Sequence, residues 1–236
     1  MTLRAAAAPS CLVIDVDRPL SDHDLDQLLL AEYDGEKIGG IGRYVGLERN
    51  GAGDASAAEI IRITSRGFGL WLSQHVLAPD AQGNGWIATP ALGQRFGRSA
   101  RINALDIGYP EAAHLECDLE GVRLGTPADA VSGYAVSWAT ESAEFPALLY
   151  VGYDAILSPD ELWALPNVHA YACDWGGRRV TNRGFVMRQT EPDVVIAGIR
   201  CDVGRCAPDL KGNSLVWAAL TSSEQITQPD LGNVIA

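Results

Sequence analysis

The chain has 236 residues, of which 47% are hydrophobic, so it can form one large domain or two small ones with a substantial core. Its 18 Lys and Arg against 30 Asp and Glu give a net charge of −12. That balance argues against binding to the phosphate backbone of a nucleic acid, which needs a basic face. No run of about 18 apolar residues occurs, so no membrane span is predicted.

The first ten residues are interpreted as an N-terminal arm. They are too few and too weakly apolar for a complete signal peptide. We therefore expect synthesis in the cytoplasm, and work outside the cell would require export or release by another route.

The five cysteines do not form the pattern of a disulfide framework, because their number is odd and their spacing is wide. We expect free thiols, with Cys11, Cys117, Cys173 and Cys201 packed between strands and helices as small hydrophobes. A bridge between Cys201 and Cys206 stays open as a minor alternative. No C-x-x-C pair occurs, so no metal site is predicted, and no motif indicates a cofactor.

Strand-like and helix-like segments alternate along most of the chain. Ser21, Ser56 and Thr89 are predicted N-caps, and Pro90 and Pro127 are suited to first turns. Eight strands are predicted at residues 12–17, 38–45, 69–76, 114–121, 147–153, 168–175, 184–190 and 194–203, and five helices at 21–30, 56–65, 89–105, 126–140 and 158–165.

This alternation favours a parallel sheet with helices covering it, and eight such units close into a barrel. We predict an α/β fold: a single (β/α)8-type TIM barrel at residues 11–220, with helices reduced in the last third and a polar tail at 221–236. An open doubly wound sheet is the alternative. The first strand is not followed by the G-x-G-x-x-G turn that would support it.

The segment H-L-E-C-D-L-E-G at residues 114–121 is central to the functional prediction. Because side chains alternate across a strand, Glu116, Asp118 and Glu120 share one face and the apolar residues share the other. A solvated edge strand could have this pattern. The apolar neighbouring strands favour an inner strand whose acidic face points into a polar cleft, where paired carboxylates suit general acid/base chemistry.

In a barrel of this kind the active site lies at the carboxyl ends of the strands. Acids occur at four of the eight predicted ends, together with aromatic residues, and this composition is typical of a sugar-binding cleft. No G-x-S-x-G elbow and no H-E-x-x-H motif favours another hydrolytic chemistry. The strand-end residues are Asp15, Asp17, Arg43, Tyr44, Gln74, His75, Asp118, Glu120, Tyr150, Tyr153, Asp174, Trp175, Gln189 and Asp202.

The acidic segment resembles the D-x-E strand of family 25 glycoside hydrolases, the Chalaropsis-type lysozymes. It is closer still to the glycoside-hydrolase-like domain of unknown function found in actinobacterial secreted proteins and in phages. Other segments are similar in the same order, and the resemblance covers roughly residues 11–217. These segments are I-D-V-D, G-R-Y-V-G, I-G-Y-P, L-L-Y-V-G-Y, Y-A-C-D-W, M-R-Q-T and I-R-C-D-V.

The resemblance implies a lysozyme-like barrel that cleaves peptidoglycan beside N-acetylmuramic acid. By position, Glu120 would be the general acid and Asp118 would stabilise charge or orient the acetamido group of the substrate. Asp15 and Asp202 would be supporting acids. The lysozymes usually open with D-x-S-x-x-Q, whereas residues 15–20 read D-V-D-R-P-L and lack both the Ser and the Gln.

Two hypotheses follow. The first is a glycosidase of the cell wall, such as a phage lysin or a secreted effector, in which Asp17, Arg43, Tyr44, Gln74, Tyr150, Asp174, Trp175 and Gln189 bind the glycan strand. The second is a catalytically inactive barrel that binds glycan or serves as a structural part of a phage or cell-surface assembly. In either case the expected partner is a polysaccharide, and the expected place of action is the cell wall, the periplasm or a phage particle.

Overall fold

The computed structural model describes residues 3–79, 82–152, 156–173 and 184–220. The helices of this part are α1 (Asp22–Leu30), α2 (Ala57–Ser65), α3 (Pro90–Asp106), α4 (Ala128–Glu141) and α5 (Pro159–Ala164). The strands are β1 (Leu3–Ala6), β2 (Leu12–Asp15), β3 (Glu32–Tyr33), β4 (Glu36–Val45), β5 (Gly69–Gln74), β6 (Leu115–Asp118), β7 (Ala147–Tyr150), β8 (Val168–Cys173), β9 (Met187–Ile196), β10 (Ile199–Cys206) and β11 (Val216–Ala219).

Backbone pairing joins eight strands into a ring. The order is β2, β4, β5, β6, β7, β8, β9 and β10, and β10 pairs back onto β2. Neighbours run parallel except at β10, which is antiparallel to both β9 and β2. The chain is therefore an α/β fold with a curled mixed sheet. The predicted alternation of strands and helices is confirmed from β2 to β8.

The helices begin where short polar side chains can accept hydrogen bonds from the first turn. Ser21, Thr89 and Ser158 each accept a bond from the backbone amide three residues ahead, which supplies partners for amides that a helix leaves open. Ser56 does the same for α2. No helix in the described ranges is long and apolar enough to cross a membrane.

The end of the ring differs from the prediction. Residues 194–203 were predicted to form one strand, but the chain turns at Ala197 and Gly198, whose φ angles are 50° and 80°. Two successive left-handed residues form the turn that joins β9 to β10 as an antiparallel hairpin. The sequence carries little signal for this hairpin, because Ala-Gly lacks the Asn or Asp that usually marks such a turn. The last unit of the ring is therefore a hairpin.

Part of the N-terminal arm forms a strand, which the sequence analysis did not include among the eight predicted strands. Leu3–Ala6 pairs antiparallel with Val216–Ala219, and β11 pairs in turn with β5 at Ala218. The four described cysteines, Cys11, Cys117, Cys201 and Cys206, are free, so no Cys201–Cys206 bridge is present. The side chain of Cys173 lies outside the described residues.

Two tryptophans fill the amino-terminal half of the ring interior. Trp71 and Trp217 belong to one buried apolar cluster with Val13 and Leu148. Glycines make room for them, because a Cβ on Gly40 or Gly69 would overlap the indole of Trp217. The predicted Gly-rich strand β4 is thus explained by packing against an aromatic plug.

Gly40→Ala is expected to lower the free energy of unfolding by about 1–3 kcal/mol, the usual cost of overpacking a core. The buried indole of Trp217 lies against Gly40 and its register partner Gly69, so an added methyl group would press on the ring. Urea unfolding monitored by tryptophan fluorescence would measure the change. Gly53→Ala is the matched control because its Cβ would have no neighbour within 4 Å. Equal stability of the two variants would contradict this account of the plug.

Candidate active site

Polar side chains replace the apolar plug toward the carboxyl end of the parallel strands. Along β2 the inward residues are Val13 and then Asp15, and along β7 they are Leu148 and then Tyr150. Because side chains on one face recur every second residue, each step of two moves from the apolar layer to the polar layer. The strands therefore place their carboxyl and hydroxyl groups together at one end of the ring.

The antiparallel strand β10 brings a further acid to the same end. Asp202 is the register partner of Asp15, so the two residues lie side by side on neighbouring strands. This placement follows from the antiparallel direction of β10, which starts at the end of the ring where β2 finishes. Asp15 and Asp202 therefore lie together at one end of the ring, as predicted, although β10 runs in the direction opposite to the predicted one.

Two connected spaces share these acids. An open cleft of about 400 Å³ is lined by Asp15, Asp17, Arg18, Tyr44, Asp193, Arg200, Cys201 and Asp202. Beneath it an inner cavity of about 30 Å³ is lined by Val13, Asp15, Trp71, Glu116, Tyr150, Ala172, Met187, Gln189, Asp202, Val203 and Gly204. The cleft has room for a sugar unit, whereas the inner cavity has room for about one water molecule.

Hydrogen bonds fix the acids in the cleft. The Tyr44 hydroxyl donates to Asp15 Oδ2 at 2.6 Å, while Asp15 Oδ1 is buried with no hydrogen-bond partner. On the other side the Tyr150 hydroxyl donates to Gln189 Oε1 at 2.9 Å, and Gln189 Nε2 donates to Asp202 Oδ2 at 2.9 Å. Asp15 and Asp202 are therefore oriented by neighbours from three different strands, β4, β7 and β9.

The proton affinities of the buried acids are raised. Burial is the main cause and lifts the pKa of Asp15 to about 6; the Tyr44 hydrogen bond opposes that shift and the charge of Asp202 adds to it. Burial also raises the pKa of Glu116 and of Asp118 well above their ordinary values, and nearby carboxylates reinforce both shifts. Such shifts are common at functional sites, where acid/base groups need a pKa near the working pH.

Glu120 occupies a different environment from the one predicted. Strand β6 ends at Asp118, and Glu120 follows it with an exposed side chain. Its amide donates to Asp118 Oδ1 at 2.7 Å, and Trp86 Nε1 donates to its carbonyl oxygen at 2.8 Å. The burial that was expected for Glu120 is found instead at Glu116 and Asp118.

A further pocket of about 320 Å³ lies against Glu120. It is lined by Leu119, Glu120, Gly121, Val122, Leu124, Val151 and Gly152. The apolar members of this set suit contact with the carbon face of a sugar ring, which leaves the Glu120 carboxyl at the edge of that contact.

Two predicted cleft residues face the helices instead. The Arg43 guanidinium is fully buried and bonds to Glu59 Oε1 at 3.0 Å, to the Val16 carbonyl oxygen at 2.5 Å and to the Gly53 carbonyl oxygen at 2.8 Å. Gln74 donates to the Leu47 and Phe96 carbonyl oxygens and accepts from Trp138 Nε1. Both side chains are taken up by contacts that join the sheet to its outer layer, so neither lines the cleft.

The remaining predicted site residues that the structure describes lie in the cleft, in the inner cavity or outside both. Asp17 and Tyr44 line the cleft, and Tyr150 and Gln189 line the inner cavity. Asp174, Trp175 and Tyr153 lie outside the described residues. His75 bonds to Asp54 at 2.9 Å and stacks on the Tyr44 ring with 4.7 Å between centroids, so it supports the cleft wall from behind.

Sequence reasoning left several lining residues out of the site. Arg18, Arg200 and Asp193 lie in the cleft, where Arg18 pairs with Asp24 and Arg200 pairs with Asp193. Glu116 was placed on the acidic face of its strand but not in the site, although its parity with Asp118 is a visible signal. In the described ranges no group of three or more potential ligands is arranged to hold a metal ion.

Comparisons with known proteins identify folds that are similar to this one. No family model matches the sequence, and no match to a curated protein was found. Among solved structures, the Tat-secreted protein Rv2525c of Mycobacterium tuberculosis aligns with a TM-score of 0.62 and 16% identity, over 88% of this chain and 98% of that one. The resemblance to lysozyme-like barrels is confirmed at the level of fold by the following two neighbours.

The CTP1L endolysin aligns with a TM-score of 0.56 and 13% identity, over 83% of this chain and 66% of that one. The modular autolysin LytC of Streptococcus pneumoniae, in complex with a synthetic peptidoglycan ligand, aligns with a TM-score of 0.53 and 11% identity, over 83% of this chain and 46% of that one. The fold is therefore that of family 25-type lysozymes and endolysins. Since one fold hosts many functions, the activity has to be argued from the site.

Proposed function

We propose that the chain is a glycoside hydrolase of bacterial cell-wall peptidoglycan, built on a (β/α)8-type barrel whose last unit is a hairpin. The observation that carries the proposal is the pair Asp15 and Asp202 in an open cleft at the carboxyl end of the parallel strands, together with the buried acids Glu116 and Asp118 on β6. Burying carboxyl groups costs free energy, so their concentration beneath an open cleft is best explained by a chemical role.

The cleft chemistry suits cleavage of a glycosidic bond. This reaction needs one carboxyl group that protonates the leaving oxygen and a second that opposes the positive charge developing on the sugar. Glu120 is exposed and can reach a bound glycan, and we assign it the role of acid. Asp118 lies directly behind it through the 2.7 Å bond to the Glu120 amide, and Asp15 and Asp202 face the cleft as supporting acids.

Peptidoglycan is the proposed substrate because the neighbouring folds include LytC, which binds a synthetic peptidoglycan ligand. Asp17, Tyr44, Tyr150 and Gln189 are the proposed contacts to the glycan strand or to the acids that meet it. We place the site of action at the cell wall, in the periplasm or on a phage particle.

Incubation of the purified chain with purified peptidoglycan tests the proposal. We expect new reducing sugar ends to accumulate with time, together with soluble glycan fragments identified by mass spectrometry. Substrates of several bacterial wall types should be included, with and without stem peptides. If no substrate yields reducing ends while the chain still sediments with insoluble peptidoglycan, the inactive glycan-binding barrel is the correct function.

A further inference from the structure

Glu116 is a buried carboxyl group that the proposed reaction does not use. It lies in the middle of β6 with 5% of its surface exposed, and it lines the inner cavity. Its Oε2 atom has no hydrogen-bond partner. Two more buried polar atoms nearby have no hydrogen-bond partner. One is Asp15 Oδ1, whose residue lines the same cavity, and the other is Oγ of Ser73, the register partner of Glu116 on β5.

Two of these atoms, Asp15 Oδ1 and Glu116 Oε2, belong to residues that line one small space, and they need a common explanation. Each would cost roughly 1–3 kcal/mol if it stayed without a partner. The cavity volume of about 30 Å³ admits one water molecule, and buried waters typically bond to about three polar groups. A single water between Asp15 and Glu116 would therefore satisfy the orphaned atoms.

The charges around this space decide which acid keeps a proton. The groups that face Glu116 are the carboxyls of Asp15, Asp118 and Asp202 and the hydroxyls of Tyr44, Tyr109 and Tyr150. The described residues that line the cavity include no cation. Two adjacent carboxylates cannot both ionise in such surroundings. Asp15 accepts a hydrogen bond from the Tyr44 hydroxyl at 2.6 Å, which favours its anion. The Ser73 hydroxyl and the Trp71 indole favour the anion of Glu116, but burial and the charges of Asp15 and Asp118 outweigh them, so the pKa of Glu116 is raised well above its ordinary value.

We propose that Glu116 is a proton-holding residue: its neutral carboxylic acid donates to one water in the inner cavity, that water donates to Asp15 Oδ1, and Asp15 remains the anion that faces the cleft. Glu116 is thus a positioning residue that never touches substrate. Its value for catalysis rests on the proposed function, because it would keep one negative charge at the base of the cleft. Its protonation is a property of the fold alone.

The direction of the pKa shifts gives this proposal a stability signature. Burial raises the pKa of Glu116 well above its ordinary value and that of Asp15 to about 6. A raised folded-state pKa contributes stability that is complete below the unfolded-state pKa and is lost as the pH rises through the folded-state pKa. Asp15 should therefore cause a loss of stability near pH 6, and Glu116 a second loss at higher pH.

Melting temperatures of the full chain, recorded between about pH 4 and pH 9, test the assignment. The wild type should show both losses. Glu116→Gln, which mimics the neutral acid, should melt close to the wild type at pH 4 and above it at pH 7, because only the wild type loses the contribution of Glu116 as the pH rises. It should keep the loss near pH 6 and lack the second one. Asp15→Asn should lack the loss near pH 6. Glu111→Gln, on an exposed glutamate, is the control and should follow the wild type. A second loss that persists in Glu116→Gln overturns the proposal.

Carbon-13 NMR of the wild type labelled at glutamate carboxyls gives an answer that needs no variant to fold. At pH 7 we expect one glutamate resonance to remain at its protonated position. If every glutamate carboxyl finishes titrating below about pH 6, the proposal is wrong. Neither measurement involves glycan, so its outcome is separate from the outcome of the reducing-end assay.

Discussion

Arg43→Ala should lower the free energy of unfolding by about 3–5 kcal/mol, the typical cost of removing one partner of a buried ion pair. Arg43 and Glu59 are 0% and 1% exposed, and their side chains meet at 3.0 Å between β4 and α2. The variant would leave the Glu59 carboxylate buried without its cation and two carbonyl oxygens, those of Val16 and Gly53, without their donor. Chemical denaturation at neutral pH measures the loss.

Arg98→Ala provides the matched control. Arg98 pairs with Glu141 at 3.2 Å, but its side chain is 63% exposed, so the pair is screened by water. We expect this substitution to cost less than about 1 kcal/mol. If the two variants lose the same stability, burial does not set the value of the Arg43 pair.

The double variant Arg43→Met/Glu59→Met separates the cost of an orphaned charge from the value of the pair. Removing both charges leaves no uncompensated ion in the interior, so the double variant should be more stable than Arg43→Met alone. Leu20 loses an acceptor for its amide in the process, because that amide donates to Glu59 Oε1 at 2.8 Å. Full recovery of wild-type stability is for that reason not expected.

The parallel part of the fold could be predicted from local signals. Caps at Ser21, Ser56, Thr89 and Ser158 mark helix starts, and apolar runs between them mark strands. The hairpin between β9 and β10 could not be predicted in the same way, because nothing in residues 194–199 except one glycine interrupts an apolar run. Its pairing is decided by the ring, which has an open edge on β2 that only an antiparallel strand can reach from β9.

Only part of the candidate site could be predicted, and side-chain parity explains the part that was wrong. A residue's position at the end of a strand gives its height along the ring, but it does not give the face of the sheet on which its side chain lies. Arg43 shares parity with Ile41 and Val45 in the outer core, as Gln74 does with Leu72, and both point to helices. Asp15, Tyr44 and Tyr150 have the opposite parity and reach the interior.

The position of Glu120 shows a limit of the same reasoning. Parity assigns it to the acidic face together with Glu116 and Asp118, but the strand stops two residues earlier. Gly121, with φ at 70°, lies in the turn that follows the strand, and the carboxylate of Asp118 accepts a hydrogen bond from the Glu120 amide at that turn. Burial therefore ends at Asp118, and the exposed acid stands at the rim.

If the chain is a glycosidase, Glu120→Gln is expected to lower turnover of peptidoglycan by roughly 10²–10⁴-fold, the usual contribution of a general acid. The amide cannot give up a proton to the leaving oxygen, but it keeps the shape of the side chain. Because Glu120 is exposed and its backbone bonds to Asp118 and Trp86 do not involve the carboxyl, the melting temperature and glycan binding should stay unchanged.

Asp118→Asn is expected to impair turnover severely as well, for a different physical reason. Burial holds the pKa of Asp118 well above its ordinary value. The positive charge that develops on the sugar lowers that pKa, so the Asp118 proton passes to solvent water and the carboxylate remains to oppose the charge. The neutral amide cannot follow, so the oxocarbenium-like state loses its counter-charge. Reducing-end release by wild type, both variants and the exposed control Glu111→Gln, with melting temperatures for each, decides the matter. Full activity of Glu120→Gln would remove Glu120 from the role of acid, and the buried pair Asp118 and Glu116 would then be the next carboxyls to test.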